Sequence, residues 1–192
     1  EERKKVFEDK KIALITYEDQ QFIREAFFGG RTNSTAIKYD FEEGEIGCYA
    51  DITSLYPTTN FYDEYGTGHL TRITEITREI QHKLLNREYI GYVKVDITPP
   101  NDLYFPVLPE KGEKLTFDLK RKIGVWTTPE IYEALNQGYK INKIYEIRHY
   151  NQSSRNLFKP YVSKFLKLKQ ESSGKPDWVK NDDDLNKYIL DY

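Results

Sequence analysis

Residues 51–57 read Asp51-Ile52-Thr53-Ser54-Leu55-Tyr56-Pro57, and the fold turns on how this heptad is read. A short apolar stretch, residues 46–50, runs into Asp51, and hydroxyl residues, an aromatic and a proline follow within one turn's reach. That order predicts a strand over residues 46–52 delivering a carboxylate to a rim, then a tight turn and a helix starting near residues 55–57. A carboxylate at a rim suits a hard divalent cation, and the amides of the turn suit an anion beside it. Metal next to phosphate is the setting of nucleotidyl transfer. Capping is the competing explanation, because Asp, Thr and Ser before a proline are also ordinary helix N-cap residues.

Around the heptad the pattern is mixed. Residues 11–17 read as a short strand and residues 20–28 as a helix that Gly29 would end. Residues 30–39 read as extended and residues 40–45 as an acidic loop. Tyr65-Gly66-Thr67-Gly68 marks a turn. Residues 71–88 predict a helix, with Ile73, Ile76, Ile80 and Leu84 at spacings of three and four. Residues 89–97 alternate as a half-buried strand, with Tyr89, Gly91, Val93, Val95 and Ile97 on one side, stopped by Pro99-Pro100.

Further strands are expected over residues 114–119, 122–127 and 139–150. Thr128-Pro129-Glu130 opens a helix closed by Gly138. Residues 155–170 form an amphipathic helix with Leu157, Tyr161 and Phe165 on one face, Phe158, Val162 and Leu166 beside it, and four lysines largely off it. A last helix covers residues 183–192. The fold class is α+β with mainly antiparallel strands.

Composition sets the bounds. The chain has 192 residues and a formal net charge of −2, so charge gives no global case for nucleic acid. Its 16 Tyr and 10 Phe predict a ring-rich core and rim. One cysteine, Cys48, excludes an internal disulfide and reads as a buried thiol in a reducing intracellular compartment. No apolar run reaches transmembrane length. The chain begins Glu1-Glu2-Arg3 and has no methionine, which reads as an excised or processed segment. His69, His82 and His149 lack ligand spacing, and Asp182-Asp183-Asp184 is better explained by capping than by metal.

The full string of residues 51–57 resembles motif A of family B DNA polymerases, D-x-x-S-L-Y-P. Upstream, Phe27-Phe28-Gly29-Gly30 resembles the Y-x-G-G segment of the protein-primed branch, which touches the template strand. Phe27 stands where the family has tyrosine, keeping a stacking face and losing the hydroxyl. Residues 159–176, with the stretch 165–174 inside them, resemble the palm helix that precedes the fingers. The fingers motif K-x-x-x-N-S-x-Y-G and the later D-T-D motif do not occur in these residues.

The resemblance implies a partial polymerase palm carrying an inserted small α/β subdomain. Residues 1–64 would hold the first palm portion, 65–151 the priming and DNA-contact insertion, and 152–192 the helices leading to the fingers. It implies a two-ion Mg²⁺ site with Asp51 as catalytic ligand and the Ile52 carbonyl as a supplementary one. It further implies that Ser54 and Leu55 offer amides to a dNTP triphosphate and that Tyr56 lies under the sugar. Phe27, Phe28, Gly29 and Gly30 would meet template-primer DNA, a terminal priming protein would be a partner, and these 192 residues alone would be inactive. The alternatives are a non-catalytic module that binds DNA or a priming protein, and a generic α+β domain with a coincidental heptad.

Overall fold

In the computed structural model, residues 15–32, 34–52, 54–173 and 178–191 are described. They fall into two compact units. One contains Ala50–Tyr65 and the described residues from 153 onward; the other contains residues 15–49 and Gly66–Gln152.

The larger unit is organised on β2 (Gly91–Thr98), an interior strand in a four-stranded sheet. The other strands are β1 (Tyr65–Ile73), β5 (Lys122–Thr127) and β6 (Lys140–Ser154), in the order β1-β6-β2-β5. β2 runs antiparallel to both neighbours, pairing Val93 with Trp126 on one side and with Ile147 on the other. The alternation expected for residues 89–97 is realised, since Val93, Val95 and Ile97 are wholly buried. They pack against Leu84 of α3 (Arg78–Leu85), Ile131 and Ala134 of α4 (Thr128–Asn136), Leu108, Trp126 and Ile147. The Trp126 indole N–H donates to the Pro109 carbonyl at 3.0 Å, so the largest core side chain leaves no polar atom unmet.

The opposite face is covered by α1 (Tyr17–Glu25), whose Phe22, with the adjacent Ala26, packs on Val125. A buried guanidinium, Arg148, lies 4.3 Å over the Phe22 ring and is ion-paired with Asp19, Glu18 and Glu146. Each buried charge is therefore matched, as burial demands. Gly91 marks a close approach: a Cβ there would sit 2.0 Å from the Arg148 carbonyl oxygen. A two-stranded ribbon of β3 (Glu110–Lys111) and β4 (Leu115–Thr116) extends from the same unit.

The smaller unit contains α2 (Leu55–Tyr62), α5 (Lys159–Ser173) and α6 (Asp182–Asp191). Tyr65 meets Phe158 edge-on at 4.9 Å, and the Lys159 ammonium lies 4.8 Å over Phe61. Leu157, Val179 and Leu185 are buried. At the start of α6 the Asn181 side-chain oxygen accepts the Asp184 N–H, and the Asp184 carboxylate in turn accepts the Lys180 N–H, so the aspartate run takes part in capping.

Several expectations are corrected. Residues 46–52 form no strand: Ile46, Tyr49 and Ile52 are all exposed, and among the described residues no strand lies beside them to take their backbone hydrogen bonds. Tyr65-Gly66-Thr67-Gly68 belongs to β1 instead of a turn, because Tyr150 packs into the space Gly66 leaves. The helix expected over residues 71–88 is shortened to α3, since β1 runs to Ile73 and Thr77 caps the helix by accepting the Ile80 N–H. The cap of α4 is Thr127, in a reciprocal box with Glu130, one residue before the expected Thr128. α1 ends at Glu25, so Gly29 caps nothing. Cys48 is exposed, not buried. Of the strand expected at 11–17, residues 11–14 lie outside the described residues, and Tyr17 opens a helix.

Asp96 is the one buried carboxylate on β2. Arg121 grips it through two donors at 2.8 and 2.5 Å and Asn142 adds a third at 2.9 Å. Those bonds, Arg121 first, hold its pKa down from 3.8 to about 2. A depressed carboxylate pKa contributes stability that is fully present above about pH 4 and lost as pH falls toward 2. Asp96→Asn should flatten that interval of the stability–pH curve relative to the parent, as followed by denaturant unfolding. An unchanged slope would show that Arg121 does not hold the carboxylate.

Candidate functional site

The heptad opens the α2 side of the smaller unit. The Asp51 carboxylate is exposed and makes no hydrogen bond or ion pair among the described residues. Ser54 sits in the left-handed region, φ 52° and ψ 44°, and its side chain makes no capping bond. Simple capping therefore does not account for this serine. A left-handed non-glycine residue costs roughly 1–2 kcal/mol, and such positions gather at functional sites.

The Ser54 carbonyl accepts the Thr58 N–H at 2.9 Å, so the helix begins immediately after the twist. Helix geometry leaves the first N–H groups, here those of Leu55 and Tyr56, without intrahelical partners. Pro57 has no N–H to orphan. The ring of Tyr56 is 79% exposed and is no core aromatic of this unit. Leu55 and Ile52 are exposed beside it.

The fit of a divalent ion can be judged from the donor set. Asp51 is the kind of unpaired oxygen ligand a hard cation takes, and the neighbouring Ile52 carbonyl is a second donor by chain adjacency. Among the described residues no group of three or more His, Cys, Asp or Glu converges. The donors thus fit one side of a metal site and need further carboxylate from elsewhere to complete it.

In the larger unit the 27–30 segment leaves α1 as a strap. Phe27 is exposed on one side and meets Tyr92 edge-on at 6.3 Å on the other. Phe28 is half-buried against the main core, with the Lys111 ammonium 5.1 Å over its ring. Lys111 also donates to the Arg24 carbonyl at 3.2 Å. Gly29 and Gly30 have no atom within 4 Å of where a Cβ would stand, and neither is in the left-handed region. No packing or backbone constraint in this unit explains why both are glycine.

Arg31 directly follows the glycine pair. Its guanidinium lies between two rings, 5.3 Å from Phe105 and 4.7 Å from Phe117, and donates to the Pro106 carbonyl at 2.9 Å. An arginine directly after a glycine pair is a weak signal by itself. Its ring partners lie more than seventy residues away, beyond any local spacing rule.

Replacement of Ser54 tests the twist. Ser54→Gly should leave the thermal midpoint equal or higher, whereas the β-branched Ser54→Val should cost roughly 1–2 kcal/mol. A well-tolerated valine in thermal denaturation would show that residue 54 is not left-handed.

Residues 3–188 match the family model described as DNA polymerase type B, organellar and viral. Searches of curated proteins and of solved structures each return no match. Among the described residues, no helix is long and apolar enough to cross a membrane. A match over nearly the whole length implies DNA and nucleotide substrates: the chain belongs to the organellar and viral type B DNA polymerases.

Proposed function

We propose that residues 51–56 are the motif A part of a two-metal nucleotidyl-transfer site in a protein-primed polymerase. The observation that carries this reading is an exposed Asp51, without a partner among the described residues, three residues before a left-handed Ser54 and an open helix start. When bound, two Mg²⁺ ions supply activation of the primer hydroxyl and charge neutralisation on the departing pyrophosphate. Asp51 and the Ile52 carbonyl would hold one side of that pair. The second aspartate comes from outside residues 1–192.

The chain's own groups divide the remaining work. Ser54 and Leu55 direct backbone N–H groups at the triphosphate, where partly positive helix-start amides favour an anion. Tyr56 sets its ring against the deoxyribose, leaving no room for a 2′-hydroxyl. Phe27 through Gly30 let a template backbone approach closely, which gives the glycine pair the role that intramolecular packing does not. We assign residues 1–64 and 152–192 to palm portions and 65–151 to an insertion that meets a terminal protein and DNA. The protein works in a reducing intracellular compartment.

Mg²⁺-dependent incorporation of dNTPs by the full-length protein tests this. Asp51→Asn should lower kcat by roughly 10²–10³, the scale for losing one preorganised charge contact. Undiminished turnover would remove Asp51 from the site. Tyr56→Val should raise ribonucleotide incorporation relative to deoxyribonucleotide, and unchanged sugar selectivity would contradict its assignment. The isolated 192-residue chain should not incorporate nucleotide at all.

A further inference from the structure

Within the larger unit, α1 meets the sheet through two kinds of contact. Phe22, Ile23 and Ala26 are buried, and Phe22 and Ala26 pack on Val125. Such apolar contacts are non-directional, and by themselves leave a nine-residue helix free to slide or turn on the sheet. The second contact is directional. Arg148 of β6, its side chain 3% exposed, donates to Asp19, to Glu18 at 3.3 Å and to Glu146 at 2.6 Å, with its planar head on the Phe22 ring. Asp19 is also held from the other side, where its second carboxylate oxygen accepts the Thr16 hydroxyl at 2.6 Å. Arg72 of β1 closes the network, reaching Glu18 at 2.8 Å and Glu146 at 3.1 Å.

Stability alone does not call for this arrangement. A buried ion pair is often no better than apolar packing of the same volume, and its best-attested use is to fix register. Here the registered element hands directly to the strap: the Ala26 N–H donates to the Ile23 carbonyl at 3.0 Å and the Phe27 N–H to the Arg24 carbonyl at 3.4 Å. Arg148 also stands opposite Tyr92 in the ladder between β2 and β6, and Tyr92 is the ring that Phe27 meets. We propose that Arg148 is a positioning residue: by fixing the rotation and register of α1 through Asp19 and Glu18, it sets where residues 27–30 stand. The guanidinium fork serves three carboxylates at once, which the compact ammonium of a lysine does not. For the reaction, the consequence rests on the polymerase reading, in which residues 27–30 meet template-primer; the anchoring itself does not.

Amide hydrogen exchange of the full-length protein reads the anchoring directly. Arg148→Lys keeps the charge that the carboxylates need but loses the fork, and Asp19→Asn removes one of its partners. Each should speed exchange across residues 20–27 about tenfold, while residues 93–97 of β2 stay as protected as in the parent. Steady-state incorporation should show KM for template-primer raised about tenfold with kcat near the parent value, the pattern of lost binding without lost chemistry. Ile131→Val, in the core on the sheet's other face, is the control: it should lower the thermal midpoint and leave template-primer KM alone. Exchange that rises equally at residues 93–97 in Arg148→Lys, with KM unmoved, is the pattern of a general stability role and overturns the proposal. Parent-like exchange across residues 20–27 in both variants overturns it as well. If exchange rises across residues 20–27 alone and KM stays put in an active enzyme, the anchoring stands and the assignment of residues 27–30 to template-primer fails. Full turnover by Asp51→Asn sinks the motif A assignment and leaves the exchange result untouched.

Discussion

The two-sided pairing of β2 is the constraint on which the larger unit depends. With β5 on one edge and β6 on the other, its backbone groups have hydrogen-bond partners on both sides. Its side chains then have two jobs. Val93, Val95 and Ile97 fill the space between sheet and helices α3 and α4, while Asp96 lies on the other side under Arg121 and Asn142. Apolar burial at roughly 25 cal/mol per Å² supplies the drive. The matched charges at Asp96 and Arg148 keep the polar exceptions from opposing it.

The functional residues sit where such satisfaction stops. Around Asp51 the chain exposes Ile46, Tyr49, Ile52 and Tyr56 in close succession, and the carboxylate has no partner among the described residues. Among the described residues no strand pairs with this apolar run. The glycine pair tells a parallel story in the other unit. Among the described residues nothing around Gly29 or Gly30 demands glycine, which is compatible with the close approach of a template backbone proposed above.

Much of this was legible in the sequence where one local rule acted alone. The period-two alternation of residues 89–97 and the Pro129 helix start are of that kind. The errors came where distant residues decided. Tyr65-Gly66-Thr67-Gly68 carries two glycines and read as a turn, yet the Tyr150 ring uses the space above Gly66 and the segment is a strand. Residues 46–52 carry strand propensity, but a strand exists only with a neighbour. The heptad disclosed Asp51 and Tyr56 through an unusual order of residue types. The stacking of Arg31 on Phe105 and Phe117 was invisible, because those contacts span more than seventy positions.

The proposed role of Asp51 as a metal ligand in nucleotidyl transfer can be probed by changing the softness of the ligand. In the full-length protein, Asp51→Cys replaces a hard carboxylate with a thiolate that favours softer cations. If Asp51 is a metal ligand, incorporation supported by Mg²⁺ should collapse in this variant and be substantially restored by Mn²⁺ or Cd²⁺. Undiminished Mg²⁺-supported incorporation by Asp51→Cys would contradict it.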